Sequence, residues 1–122
     1  MTEETILLRQ INPSWVQQGR VTSQAFRPTP KDDAKLSVYD GDQITAAESW
    51  KHFVGRGLAA KGTMGVTVAE CTEESLTARP DPEPFPEHAV IDFADLSNKQ
   101  VEKKSKKLSA RSRTRGWLYE AD

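Results

Sequence analysis

The feature that most constrains this chain is a row of four prolines at every second position between residues 80 and 86, just ahead of an apolar segment. Proline fixes the backbone φ angle and has no N–H to donate. In an extended strand alternate residues direct their N–H groups to the same edge, so prolines spaced by two remove donors from one edge only. The row predicts an edge segment at 80–87 that pairs on one side and blocks pairing on the other. Its paired amides would belong to Asp81, Glu83, Phe85 and Glu87.

A proline-rich segment can also dock as a polyproline helix in an aromatic groove of another protein. That mode has a PxxP spacing, because the polyproline helix repeats every three residues. Here the step is two, and the residue three after Pro80 is Glu83. The spacing therefore favours a stiff edge segment over a docking ligand.

At 122 residues the chain has the usual length of one domain, and a single α+β domain is predicted over 1–122. The acidic N-terminus and the lack of a long apolar run predict neither a secretory signal nor a membrane span. Cys71 is the only cysteine, which excludes an internal disulfide and a multi-cysteine zinc site. Together these features predict a cytoplasmic protein.

Apolar and β-branched runs predict a small mixed or antiparallel sheet of five or six strands. One packed helix is predicted at 45–54, where Thr45 and Glu48 can form a capping box. Its apolar residues recur at helical spacing, so Trp50 and Phe53 are predicted to be core residues that face the sheet. A flexible, glycine-rich connection is predicted at 55–65. The predicted strands are 4–10, 21–26, 36–39, 66–71, 76–79 and 88–93.

A second helix is predicted at about 97–114, with Ser97 and Gln100 as its capping box. Its apolar residues are few, so it is predicted to lie on the surface rather than in the core. The helix is strongly basic: residues 99–122 hold eight Lys or Arg against three acids, whereas residues 1–98 hold nine against fifteen. The candidate partner-binding or nucleic-acid-binding residues are Lys103, Lys104, Lys106, Lys107, Arg111, Arg113 and Arg115.

This charge asymmetry has two interpretations. The basic helix can dock on its own acidic body, or it can meet an acidic partner such as the phosphates of nucleic acid. The isoelectric point of about 6.1 favours a solvated helix that balances the body, because nucleic-acid-binding domains are usually strongly basic as a whole.

Histidines and small polar residues offer two weaker site hypotheses. His88 and Asp92 would share a strand face, where a carboxylate can orient an imidazole, although a structural histidine is favoured. Arg9 and Ser37 resemble the early Arg and the strand Ser of small ADP-ribosyltransferase-like folds, which implies a dinucleotide site that Arg27 would flank. The late catalytic Glu of that pattern has no counterpart. The spacing of His and Cys predicts no metal site, and no motif indicates a cofactor.

The function favoured by this sequence is a non-catalytic interaction or accessory protein that binds a larger protein partner. One alternative is a nucleic-acid-associated protein that uses the basic helix. A second alternative is an enzyme that acts on a phosphate or dinucleotide around Arg9, Arg27 and Ser37. No set of catalytic residues is predicted.

Overall fold

The computed structural model describes residues 1–29 and 33–122. Its described residues form a six-stranded antiparallel sheet, a two-stranded ribbon and three helices, which confirms the predicted α+β class. The strands are β1 Ile6–Ile11, β2 Val16–Gln17, β3 Arg20–Val21, β4 Lys35–Asp40, β5 Gly62–Thr67, β6 Thr77–Pro80, β7 His88–Asp92 and β8 Tyr119–Glu120. The sheet has the order β6-β7-β4-β1-β5-β8, and β2 and β3 form the ribbon. The helices are α1 Ala46–Gly55, α2 Val68–Glu73 and α3 Asn98–Arg115.

The two faces of the sheet carry different side chains, because alternate residues of a strand point to opposite sides. The core face carries Leu7, Val38 and Val66, all buried, and α3 packs against β5 on this side. The opposite face, which we call the α1 face, carries Gln10 and its cross-strand partner Thr63 under α1. Most of the buried apolar area lies on the core face.

The predicted strand at 21–26 is wrong beyond its first residue. Only Arg20–Val21 is extended, and Ser23–Phe26 forms a 3-10 turn. Ala25 and Phe26 are both fully buried. Consecutive strand residues would point to opposite faces, so the turn is what lets both side chains enter one core.

The predicted strand at 66–71 is wrong in position. The strand β5 begins earlier, at Gly62, and ends at Thr67, which caps α2 through a capping box with Glu70. Glycine suits β5 because another part of the chain lies against it: a Cβ at Gly62 would stand 2.4 Å from the carbonyl oxygen of Tyr119. The connection predicted as flexible at 55–65 is therefore a strand over its last four residues.

The predicted edge segment at 80–87 is also wrong, except at its start. The strand β6 is an edge strand and ends at Pro80, and residues 81–87 form the loop that connects it to β7. The amide of Asp81 donates to the His88 carbonyl at 2.9 Å and closes the base of this hairpin. Since β6 and β7 are antiparallel neighbours, the chain must reverse between them, and the row of prolines lies in that reversal.

Helix α1 follows the predicted cap Thr45, its capping box is present, and it ends at Gly55, one residue beyond the predicted end. Its buried residue, however, is Ser49, while Trp50 and Phe53 are only half-buried, so their assignment to the core is wrong. Ser49 accepts a hydrogen bond from Nε2 of the buried Gln10 at 2.8 Å. The helix thus lies on the sheet through a polar contact, and its aromatic residues lie at the rim.

Helix α3 has the predicted capping box and extends to Arg115. Its inner face is more buried than the thin apolar stripe predicts: Leu108 is fully buried, and so are three serines around it, Ser105, Ser109 and Ser112. Small side chains let the helix come close to the 3-10 turn and β5. Among the described residues, no helix combines the length and the apolar character that crossing a bilayer requires.

Candidate functional site

The basic residues of α3 contact several parts of the chain. Four of them reach α2 or the residue after it. Lys104 donates to the Glu74 carbonyl, Lys107 lies 3.5 Å from the Glu74 carboxylate, and Arg111 lies 2.6 Å from that of Glu73. Arg115 makes a two-pronged contact with Glu70 at 3.0 and 3.2 Å. These contacts agree with the interpretation in which the basic helix docks on its own acidic body.

Glu70 illustrates the electrostatics of this helix contact. Its burial on its own would raise the carboxyl pKa, but the hydrogen bonds from Arg115 and Thr67 and the charges of Arg115 and Arg111 outweigh that effect. The net pKa of Glu70 is lowered. The carboxylate is thus held in its charged form by the helix that packs on it.

Of the other three candidate residues, Lys103 lies beside the lysines that face α2, whereas Lys106 and Arg113 lie on the other side of α3. Lys103 is exposed on the same side as Lys104, Lys106 pairs with Glu102 one turn before it at 3.3 Å, and Arg113 donates to the Val21 carbonyl at 3.0 Å. The seven candidate residues therefore do not form one continuous cationic surface.

Arg9 and Ser37 are brought together, but Arg27 is not. The Arg9 guanidinium donates to two backbone carbonyls, from Nε to Ala25 at 2.8 Å and from Nη1 to Ser37 at 2.8 Å, and it lies over the Trp15 ring. Arg27 lies in a separate surface cleft. The guanidinium of Arg9 thus bonds two parts of the backbone and links β4 to the 3-10 turn.

A pocket opens on the α1 face between α1 and the 81–87 loop. We call it the α1-side pocket, and its volume is about 270 Å³. Helix α1 covers β1, β5 and β8 on this face, so the side over β4 and β7 stays open. Its lining includes Leu8 and Tyr39 of the sheet, Phe53 of α1 with its C-cap Arg56, and Phe85 and His88 of the β6–β7 hairpin.

Phe85 is at the centre of the aromatic wall of this pocket. Its ring stacks on Tyr39, with centroids 5.1 Å apart and planes 27° apart, and the edges of two histidines meet it. The Arg56 guanidinium lies 5.2 Å from the ring centroid on an exposed side. These contacts anchor the proline-containing loop to the sheet and shape the pocket mouth.

Two imidazoles line or adjoin the pocket, and both are held by neighbours. The Nδ1 atom of His52 lies 2.8 Å from the Tyr39 hydroxyl. Burial raises the pKa of Tyr39, and this outweighs the opposing effect of Arg56. The phenol therefore stays neutral and remains a hydrogen-bond donor for an imidazole nitrogen.

The second imidazole, His88, does not pair with Asp92, so the less favoured of the two hypotheses for this histidine is wrong. Its Nδ1 lies 2.9 Å from the Asp81 carbonyl and 3.5 Å from the Asp81 carboxylate. The Asp92 carboxylate accepts a hydrogen bond from the Ala94 amide and pairs with Arg79 at 2.9 Å. The pKa of Asp92 is lowered, mainly by the hydrogen bond from Ala94. The hairpin register, with Pro80 opposite Ala89, is what brings residue 81 beside residue 88.

The thiol of Cys71 is free and buried. Burial raises the pKa of the Cys71 thiol to about 12, so this sulfur is a poor nucleophile at neutral pH. Within residues 1–29 and 33–122, no group of three or more His, Cys, Asp or Glu side chains is arranged to hold a metal ion. The α1-side pocket is thus a set of mutually bonded polar groups around an aromatic wall.

No family model, no curated protein and no solved structure matches this chain.

Proposed function

We propose that this chain is a non-catalytic interaction or accessory protein that binds a larger protein partner through the α1-side pocket. The observation that carries the proposal is the pocket itself, of about 270 Å³, with aromatic walls and an exposed guanidinium at its rim. Aromatic residues and arginine are the side chains that contribute most to binding energy at protein interfaces.

The internal bonding of the pocket supports binding over catalysis. Both imidazoles are held through Nδ1, His52 by the Tyr39 hydroxyl and His88 by the Asp81 carbonyl, and among the described residues neither has a serine or cysteine side chain as a hydrogen-bond partner. A nucleophile needs a general base beside it. Ser37 lines the pocket and is exposed, and its backbone carbonyl accepts a hydrogen bond from Arg9 Nη1.

The lining also suggests the chemistry of the partner. Leu8, Phe53 and Phe85 offer apolar contact inside, so an apolar or aromatic side chain of the partner fits the pocket. Arg56 is exposed at the rim and can meet a carboxylate beside that side chain. We infer a partner segment that carries one large apolar residue and an acidic neighbour.

The two alternative functions are less favoured, because the residues that each of them needs are already bonded within the fold. A nucleic-acid surface along the whole basic helix would need Lys107, Arg111 and Arg115, which pair with carboxylates of the body. A dinucleotide-acting enzyme would need the Arg9 guanidinium, which is engaged by two backbone carbonyls. Both proposals would require groups to leave their present partners.

Photo-crosslinking from inside the pocket tests the proposal. A photoreactive phenylalanine analogue placed at Phe53 should capture one protein from native cells, and the same analogue at the exposed Leu58 should not. Phe85→Ala, introduced beside the analogue at Phe53, should abolish the capture because it removes the aromatic wall. Equal capture from both positions, or capture that survives Phe85→Ala, would show that the pocket is not the binding site.

We also propose that this interaction takes place in the cytoplasm. The single cysteine supports this, because secreted domains of this size commonly carry disulfides. Fractionation of native cells with an antibody to this protein checks it, and recovery in the culture medium or an envelope fraction would contradict it.

A further inference from the structure

A groove runs between the β2–β3 ribbon and α3, on the side of the molecule away from α2. Its volume is about 570 Å³, and its charged residues are Arg20, Lys106 and Arg113. The other residues that line it are neutral, and among the described residues none in this lining is acidic. Its lining thus carries positive charge alone, and the one carboxylate beside it is that of the exposed Glu102, which pairs with Lys106 at 3.3 Å.

Local geometry holds these cations in place. The ribbon turns at Gln18 and Gly19, both with positive φ, as in the tight two-residue turns that match strand twist. Arg20 follows directly at the rim. Lys106 and Arg113 are seven residues apart on α3, which puts them on one helix face. The hydrogen bond from Arg113 to the Val21 carbonyl, at 3.0 Å, joins the helix to the ribbon.

The two guanidiniums of the groove repel each other. Burial is the main reason that the pKa of Arg113 is lowered, and the positive charge of Arg20 contributes further. On the α2 side, by contrast, Lys107, Arg111 and Arg115 pair with carboxylates. An anion bound between Arg20 and Arg113 would relieve the repulsion.

The positive surface extends beyond this groove. A second cleft, of about 520 Å³, carries Arg27 and shares Gln17, Thr22 and Ser23 with the first. The shared residues show that the two clefts adjoin each other, and we call them together the channel, with Arg20 in one part and Arg27 in the other. The two parts offer more than one place for a phosphate, and their neutral amide and hydroxyl side chains can bond phosphate or sugar oxygens.

We propose that this channel binds the backbone phosphates of a single-stranded nucleic acid. A positively charged groove that follows the backbone is how proteins bind single strands without sequence preference. A single strand is thinner than a duplex and can lie inside a groove of about 570 Å³, whereas a duplex would contact its rim. The site uses Lys106 and Arg113 of α3 together with Arg20 and Arg27. Lys106 exchanges its exposed pair with Glu102 for a phosphate, and the cations that face α2 keep their ion pairs.

The test is anisotropy of a fluorescein-labelled 12-nucleotide RNA of mixed sequence, titrated with the protein between 50 and 300 mM KCl. The groove variant Arg20→Gln with Arg27→Gln removes two exposed charges. The matched control, Lys99→Gln with Lys103→Gln, removes two exposed charges elsewhere on the chain. Because the net charge change is the same, any difference between the variants reports the channel and not the overall field.

The wild type should bind with a dissociation constant in the micromolar range at 50 mM salt. The groove variant should bind about tenfold more weakly, and the slope of log K against log salt should fall by about 1.4, since each lost contact to a single strand removes about 0.7. The control should stay within about twofold of the wild type.

Four outcomes would overturn the proposal. They are no binding by the wild type at 50 mM salt, equal losses in both variants, displacement of the RNA by a few millimolar inorganic phosphate, and tighter binding of a 12-base-pair duplex. Thermal melts of both variants must match that of the wild type within about two degrees. If the groove variant is less stable, Lys106→Gln replaces it, and unchanged binding by that variant would also overturn the proposal.

Discussion

The core face and the α1 face of the sheet are covered in different ways. On the core face, α3 and the 3-10 turn lie against β1 and β5 and bury Phe26 and Leu108 completely. On the α1 face, one short helix lies on a polar contact through Ser49, and Phe53 stays half-buried beside an open pocket. We infer that the core face provides most of the stability and that the α1 face is free to provide binding.

The first prediction compares two phenylalanines, one for each face. Phe26→Ala should lower the free energy of unfolding by about 3–5 kcal/mol, as is typical when a buried aromatic side chain is truncated. Phe53→Ala should cost about 1–2 kcal/mol, because much of its ring is already in water. Urea unfolding followed by circular dichroism measures both. Equal losses would mean that the two faces contribute alike and would remove the basis of the comparison.

The second prediction concerns the glycines of β5. A Cβ at Gly62 would meet the Tyr119 carbonyl at 2.4 Å and the Trp117 ring at 3.0 Å. Gly62→Ala should therefore destabilise the fold by about 1–3 kcal/mol, the usual cost of overpacking. Gly55→Ala, where a Cβ would have open space, is the matched control and should be neutral or slightly stabilising. A neutral Gly62→Ala would show that the C-terminal segment does not lie against β5.

How much of this architecture was predictable differs between its parts. The capping boxes at Thr45 and Ser97 are local signals, and both helices begin where these signals place them. The same signal is present at Thr67 and Glu70, but the β-branched residues around it favoured a strand, and α2 was missed. Short-range patterns fail where two of them overlap.

The candidate site was less predictable than the helices. Its residues come from β1, β4, α1 and the 81–87 loop, and only the sheet order brings them together. The pairing of His88 with Asp81 follows from the β6–β7 hairpin. The row of prolines had instead predicted one continuous edge segment at 80–87, in which these two residues would lie far apart. The ion pairs of α3 with α2 needed a helix that the sequence did not indicate.

The third prediction tests the ion pairs between α2 and α3, in which Glu70 pairs with Arg115 and Arg111. The lowered pKa of Glu70 means that its folded form binds a proton less readily than the unfolded chain does. Its contribution to stability is therefore present above the unfolded glutamate pKa of about 4.3 and is lost as the pH falls through the folded pKa. Glu70→Gln should cost about 1 kcal/mol at pH 7 and progressively less below pH 4.

Unfolding free energies at a series of pH values between 3 and 7 measure this effect. Other carboxyls titrate over the same range, so the informative quantity is the difference between the wild type and Glu70→Gln. Glu73→Gln is the control, because its side chain is 58% exposed and its pair with Arg111 lies closer to water. A difference for Glu70→Gln that stays constant down to pH 3 would contradict the assigned ion pair.

The smallest expected change in the free energy of unfolding concerns the buried serines on the inner face of α3. The hydroxyls of Ser105 and Ser109 are buried and lack a hydrogen-bond partner among the described residues, whereas the Ser112 hydroxyl donates to the Ser109 carbonyl at 2.8 Å. A buried polar group without a partner costs free energy, and an alanine of nearly the same volume removes that cost. Ser109→Ala should therefore raise the free energy of unfolding by up to about 1 kcal/mol, while Ser112→Ala should lower it by a similar amount because a satisfied bond is lost. Urea unfolding of the two variants resolves the opposite signs. If both alanines destabilise alike, the Ser109 hydroxyl does have a partner, and the contact of α3 with the core face is more polar than the buried serines indicate.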